Sequence, residues 1–352
     1  MTLSPLRRLL ILAVGVLLLG GAGAWSVLSA ADRAEEANKP RPGGPAFAAG
    51  KVGLDEPGRL VFRNTAAGPH RDRLVSVPAD GRDGGPAGAV RTASDVSCLR
   101  FHSAAGTGVC LQSTTVLGRP AYHARILDPA LRTVRTYPLA GIPSRARVSP
   151  SGRLAAWTVF VKGESYGTAF FSTRTAILDT RGWKLAANLE EFGITLEGRP
   201  YRNKDVNFWG VTFAGDDDTF YATLATGDET YLVRGSVAKR TVTALTRNVE
   251  CPSLSPDGTR VAYKKRVMGR AALWREHVLD LRTLKSTPLA ERRSVDDQAV
   301  WLDDDTLAYA LPADTRGGSD DVWTVPADGT GTPEVLLEDG QAPPAPTPAR
   351  TG

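Results

Sequence analysis

The chain has 352 residues, 42% of them hydrophobic, with 36 Gly and 24 Pro but only two Met. Such turn-rich usage excludes a long-helix bundle and suits short strands joined by tight loops. The formal charge of +5 comes from scattered Arg and Lys rather than a basic run, so nothing in it points to nucleic acid as a partner.

Arg7 and Arg8 precede an uncharged stretch from Leu9 to Ala31, LLILAVGVLLLGGAGAWSVLSAA. Its core is long enough to cross ~30 Å of hydrocarbon as a helix. Basic residues before it and Asp32, Glu35 and Glu36 after it orient the amino end to the cytoplasm and the remainder outside. Two readings stand: an uncleaved transmembrane signal anchor, favoured by the length of the apolar run, or a secretory signal peptide cut near Ser29-Ala30-Ala31. Either makes the rest extracytoplasmic. Residues 32–57, charged and then rich in Pro, Gly and Ala, read as a flexible stalk.

From residue 58 to 340 one pattern recurs six times: an apolar strand, a turn, and a strand leading back. The copies are RLVSVPADG (73–81), HARILDP (123–129), TAILDTRG (175–182), TYLVRGS (230–236), HVLDLRT (277–283) and VWTVPADG (322–329). Measured at Asp80, Asp128, Asp179, Gly235, Asp280 and Asp328, the spacings are 48, 51, 56, 45 and 48. A strand repeat of roughly 40–50 residues is the signature of a β-propeller with one blade per repeat. The expected fold is therefore all-β: a six-bladed propeller after one N-terminal transmembrane or signal helix. GRLVFRN (58–64), RLVSVPADG and a weak GAVR (88–91) form blade one. The tail QAPPAPTPARTG (341–352) is too rich in Pro for an internal strand. Ring closure is expected from GRLVFRN completing blade six, or from contacts of that strand alone.

In blade two, SCLRFHSAAGTGVCLQ reads as a hairpin centred near Ala104, which sets Cys98 opposite Cys110 within disulfide range. An oxidising compartment favours that bridge, and leaves Cys251 as a buried free thiol. The first turns of the blades follow turn chemistry: in Ser255-Pro256-Asp257-Gly258, Pro fixes φ, Asp bonds its own backbone and Gly tolerates φ > 0. Ser149-Pro150-Ser151-Gly152 repeats it, while blades four and six carry Asp216-Asp217-Asp218 and Asp303-Asp304-Asp305. Three adjacent Asp lack the alternation of a calcium loop and read as turns.

The pattern S-P-[DS]-G-x-[RL]-[VL]-A-[YW] in blades three and five, with the V-x-A-D-G outer turns, resembles the WD40-like repeat of TolB-type propellers over residues 58–340. The arrangement of anchor and bare propeller is similar to actinobacterial exported TolB-like proteins. That resemblance implies the fold; the repeat also occurs in translocation proteins, prolyl-oligopeptidase-type peptidases and lyases.

Gly163-Glu164-Ser165-Tyr166-Gly167 is a literal G-x-S-x-G, but the β-rich TAFFSTRTAIL after it is not the helix that a nucleophile elbow requires. His70, His102, His123 and His277 show no metal-ligand spacing. What remains is the central channel. Residues just before the inner strands should line one mouth: Arg145, Arg147, Asn207, Trp209, Asp296, Asp297 and Gln298, with Asp95 and Glu250 nearby. Asp296 and Asp297 are placed to counter Arg145 or Arg147. Trp209 is either an exposed aromatic for sugar or peptide contact or filler between blades. The expected function is non-catalytic: recognition of an envelope protein, peptide or cell-wall glycan by a membrane-tethered propeller, with no cofactor or metal. The alternative is a lyase- or hydrolase-like propeller enzyme acting on a polysaccharide or small molecule, which would gather His, Glu or Tyr at the inner-strand starts.

Overall fold

The computed structural model describes residues 42–79, 89–163, 171–267, 273–313 and 318–342, with scattered positions before 42. A small unit comprises residues 1–44 with the loop Ala66–Arg71, in which Arg71 N donates to Gly68 O (3.1 Å). The large unit, Pro45–Thr65 and Asp72–Gly352, holds six predominantly antiparallel sheets, one per repeat. Among the described residues no helix is long and apolar enough to cross a membrane. The expected anchor at residues 9–31 lies almost wholly outside them.

Four blades have four strands in simple up-and-down order, as the alternating apolar runs dictate. The inner strands are Arg100–Ala104 in blade two, Ile142–Val148 in three, Asn207–Phe213 in four, Glu250–Leu254 in five and Val300–Trp301 in six. Blade four is enlarged by a hairpin, Gly193–Leu196 and Arg199–Tyr201, which pairs in parallel with its outer strand Thr241–Arg247. Blade one departs furthest from expectation. Its third strand is Arg91–Ser97 rather than GAVR, and Phe47–Ala48 adds a parallel outer edge.

Ring closure also differs. Gly340–Gln341 pairs with Arg59–Asn64, so the carboxyl end supplies the innermost strand of blade one, and the GRLVFRN strand does not complete blade six. The two paired residues precede the prolines, whose missing N–H groups would have ended the ladder. Arg91, fully buried, fixes this seam by donating to Asn64 Oδ1, Glu338 O and Asp339 O (3.1 Å for the last).

Cys98 and Cys110 are joined, with Cα atoms 5.3 Å apart. The hairpin around them is offset from the expected one: Cys110 lies opposite Phe101, and the turn falls at Ala105-Gly106. Cys98 sits just beyond Arg91–Ser97, so the bridge ties the end of blade one to the second strand of blade two. Cys251 is a buried free thiol, and burial pushes its pKa up.

Bulges on the inner strands of blades four and five bring them together. Gly210 has φ +63°, and a Cβ there would stand 2.6 Å from Cys251 Cα. Cys251 itself takes φ +48°, its N–H held by Thr223 Oγ1 at 2.8 Å. Gly is required at 210 both for the left-handed backbone and for this approach.

Candidate binding site: a funnel and an ion network at opposite ends of the channel

Around the inner-strand starts the channel is occupied by charge. Arg145 donates to Asp296 Oδ1 at 3.1 Å, and Lys264, with no exposed side-chain surface, reaches the same oxygen at 2.6 Å. Burial would raise Asp296, but Lys264 and Arg145 pull it down to about 2. Lys264 also sits 4.3 Å over the Trp274 ring. Arg100 donates to Ser144 O (2.8 Å) and Gln341 Oε1 (3.3 Å), and burial with repulsion from Arg145 and Arg63 lowers it to about 10. Asp297 accepts from Ala310 N at 2.9 Å, and Gln298 donates to Val211 O and Pro252 O. A void of about 40 Å³ remains among these groups, room for a few waters.

Asn207 accepts from Thr173 N at 2.8 Å and so holds neighbouring blades together. Trp209 is 0% exposed, edge-on to Phe171 at 5.4 Å, in a cluster with Phe160, Cys251 and Trp274. It presents no surface to a ligand: of its two sequence readings the structure shows the packed one. The network thus joins Arg145 and Lys264 on Asp296, while Asp297 and Gln298 bond backbone groups beside it. Asn207 and Trp209 lie in the blades, and Arg147 reaches the other side of the channel.

At the inner-strand ends the channel opens into a funnel of about 770 Å³, within the size range of small-molecule sites. Blades two to six contribute to it through their first turns. Its walls include Leu54, Phe213, Leu254 and Trp301, and its rim carries Asp216, Asp303 and Asp304. Turn chemistry makes this rim rigid. Asp216 Oδ1 accepts from Asp218 N and Thr219 N, and Asp303 Oδ1 from Asp305 N. Neighbouring turns are linked by Ser151 Oγ to Asp217 Oδ1 and by Asp257 N to Asp304 Oδ1. The acidic triplets are rim turns, and among the described residues no cluster of three or more His, Cys, Asp or Glu is arranged to hold a metal ion.

The funnel floor is Arg147 and His102, which line both the funnel and the small void behind it. His102 Nδ1 accepts from Val148 N at 3.1 Å, and burial, then Arg147, keeps the imidazole neutral. Arg147 donates to Ala299 O at 3.1 Å. Arg147 is legible in the sequence as a channel residue, but the funnel is not, because its marks are the S-P-x-G and Asp-rich turns that also serve as ordinary punctuation between strands. Of Gly163–Gly167, all but Gly163 lies outside the described residues. The strands on either side, Leu154–Lys162 and Ser172–Asp179, are antiparallel neighbours in blade three.

No family model matches the chain, and no curated protein matches its sequence. Among solved structures, TolB from Acinetobacter baumannii superposes with TM-score 0.52 at 18% identity, over 82% of this chain and 67% of that one. The fold is a TolB-like propeller. Oligogalacturonate lyase from Vibrio parahaemolyticus gives TM-score 0.47 at 7% identity, over 78% and 76% of the two chains. A Mycobacterium tuberculosis puromycin-hydrolyzing peptidase gives 0.48 at 14% identity, over 81% of this chain but 45% of that longer one. At 18% identity the likeness to TolB is one of architecture alone.

Proposed function

We propose that this protein is a non-catalytic binding propeller of the actinobacterial exported TolB-like type. Its segment 9–31 tethers it with the blades outside the cytoplasm, where it recognises an envelope protein, peptide or cell-wall glycan. The funnel at the inner-strand ends carries this reading: it is a rigid-rimmed, apolar-walled cavity, whereas the opposite mouth is closed by ion pairs. Its histidine speaks for binding rather than proton transfer. The lone pair at His102 Nδ1 is already engaged by backbone, and its basicity is suppressed by burial.

Gly215→Trp tests the funnel. Gly215 lines the cavity, and a Cβ there meets nothing within 4 Å, so the indole enters open space without straining the turn. Recovery of co-purifying envelope components from native membranes should fall at least tenfold while the melting temperature stays within a few degrees of wild type. Undiminished recovery would remove the funnel from the binding surface.

A further inference from the structure

We propose that Arg147 and His102 form an anion-receiving floor, and that the group it receives is the C-terminal carboxylate of a peptide entering the funnel end-first. This rests on the reading of the funnel as the binding site and names its ligand chemistry.

A neutral imidazole has one N–H and one lone pair, and a guanidinium only donates. Val148 N–H takes the lone pair of His102 at Nδ1, so Nε2 carries the hydrogen. That Nε2 stands 3.1 Å from Arg147 Nη1. Two donors therefore face one another with no acceptor between them. Protonating the ring does not help, since Nε2–H remains a donor. An anionic oxygen beside the pair accepts from both.

Charge points the same way. Arg147 is 7% exposed, and among the described residues it makes no ion pair: Asp297 favours its charge only through space, and its Nε finds no hydrogen-bond partner. Arg145, two residues earlier on the same strand, has Asp296 at 3.1 Å. A buried cation with no carboxylate bonded to it is costly to a fold, and a docking carboxylate offsets that cost through charge-assisted, fork-shaped hydrogen bonds.

The walls and rim then select among anions. Leu54, Phe213, Leu254 and Trp301 surround the path to the floor, and Asp216, Asp303 and Asp304 stand at the rim. A polyuronate or a phosphate polymer would carry repeated negative charge past those carboxylates. A peptide end carries one carboxylate at its tip, apolar side chains behind it, and backbone N–H groups that the rim oxygens accept. One buried cation at the floor, apolar side chains on the walls and a rim with three carboxylates against the one exposed Arg234 match that order of charges.

The test uses apolar tetrapeptides synthesised as two matched pools, one with free C-terminal carboxylates and one with C-terminal amides. Both are incubated with the purified propeller, and retained peptides are quantified by mass spectrometry. Free acids should be retained tenfold or more over amides, the factor set by loss of a charged hydrogen bond. Arg147→Met should abolish that preference without lowering the melting temperature, and Arg147→Lys should keep a reduced preference. Equal retention of acids and amides, retention of neither, or persistence of the preference in Arg147→Met would overturn the proposal. So would stronger displacement by galacturonate trimer than by the free-acid pool. If the proposal fails while Gly215→Trp still loses envelope components, the funnel remains the site and only its ligand class is wrong.

Discussion

Trp209→Ala is expected to cost about 3–5 kcal/mol of stability, the range for truncating a large buried aromatic side chain. The indole is fully buried, and its cluster joins the inner strands of blades four and five to Phe160 of blade three and Trp274 of blade five. Those strands are already pressed together at Gly210 and Cys251, which leaves little freedom to collapse into the space the ring vacates. In a domain of this size the melting temperature should fall by on the order of 10 °C in a thermal scan. Partner binding per folded molecule should persist. An unchanged melting temperature with loss of partner would place Trp209 on a ligand after all.

The second large effect depends on pH. Glu276 is 1% exposed, and among the described residues neither carboxyl oxygen has a hydrogen-bond partner. Burial pushes this carboxyl up to about 8, against an opposing pull from Lys264. Lys264 lies directly across the strand pair but spends its ammonium on Asp296. An unfolded-chain carboxyl releases its proton near pH ~4.3. Between that pH and about 8 the folded state holds one proton more than the unfolded state, so stability falls as pH rises through this window. The loss approaches on the order of 4 kcal/mol at the upper end. Glu276→Gln removes the titration and should be more stable than wild type at pH 8 by that order, and only slightly different at pH 5. Urea denaturation at pH 5, 6.5 and 8 reads both profiles, and parallel curves would refute the burial argument.

The sequence showed what local chemistry controls. Ser-Pro-Asp-Gly turns, Asp-capped turns and apolar runs each specify their own backbone, and the six blades follow from them. Arg91–Ser97 escaped notice because RTASDVS is only partly buried and carries no apolar alternation. The hairpin at 193–201 has no counterpart in the other repeats, and a closing strand of two residues, Gly340–Gln341, is too short for any periodicity to reveal. The site was half legible for a different reason. Arg145 and Asp296 are 151 residues apart, and only the closed ring decides that such charges meet and fill one mouth. The same closure leaves Arg147, two positions along the strand, facing the other.

If partners enter at the inner-strand ends, as proposed, the two mouths of the channel should crosslink differently. A photo-crosslinking amino acid placed at Pro150, an exposed funnel residue, can be compared with one at Arg292, exposed on the loop that carries Asp296 of the ion network into blade six. After irradiation of native membranes, crosslinked products should form from position 150 and be absent from position 292. Products from position 292 alone would contradict the account and return the binding site to the mouth that the ion network occupies.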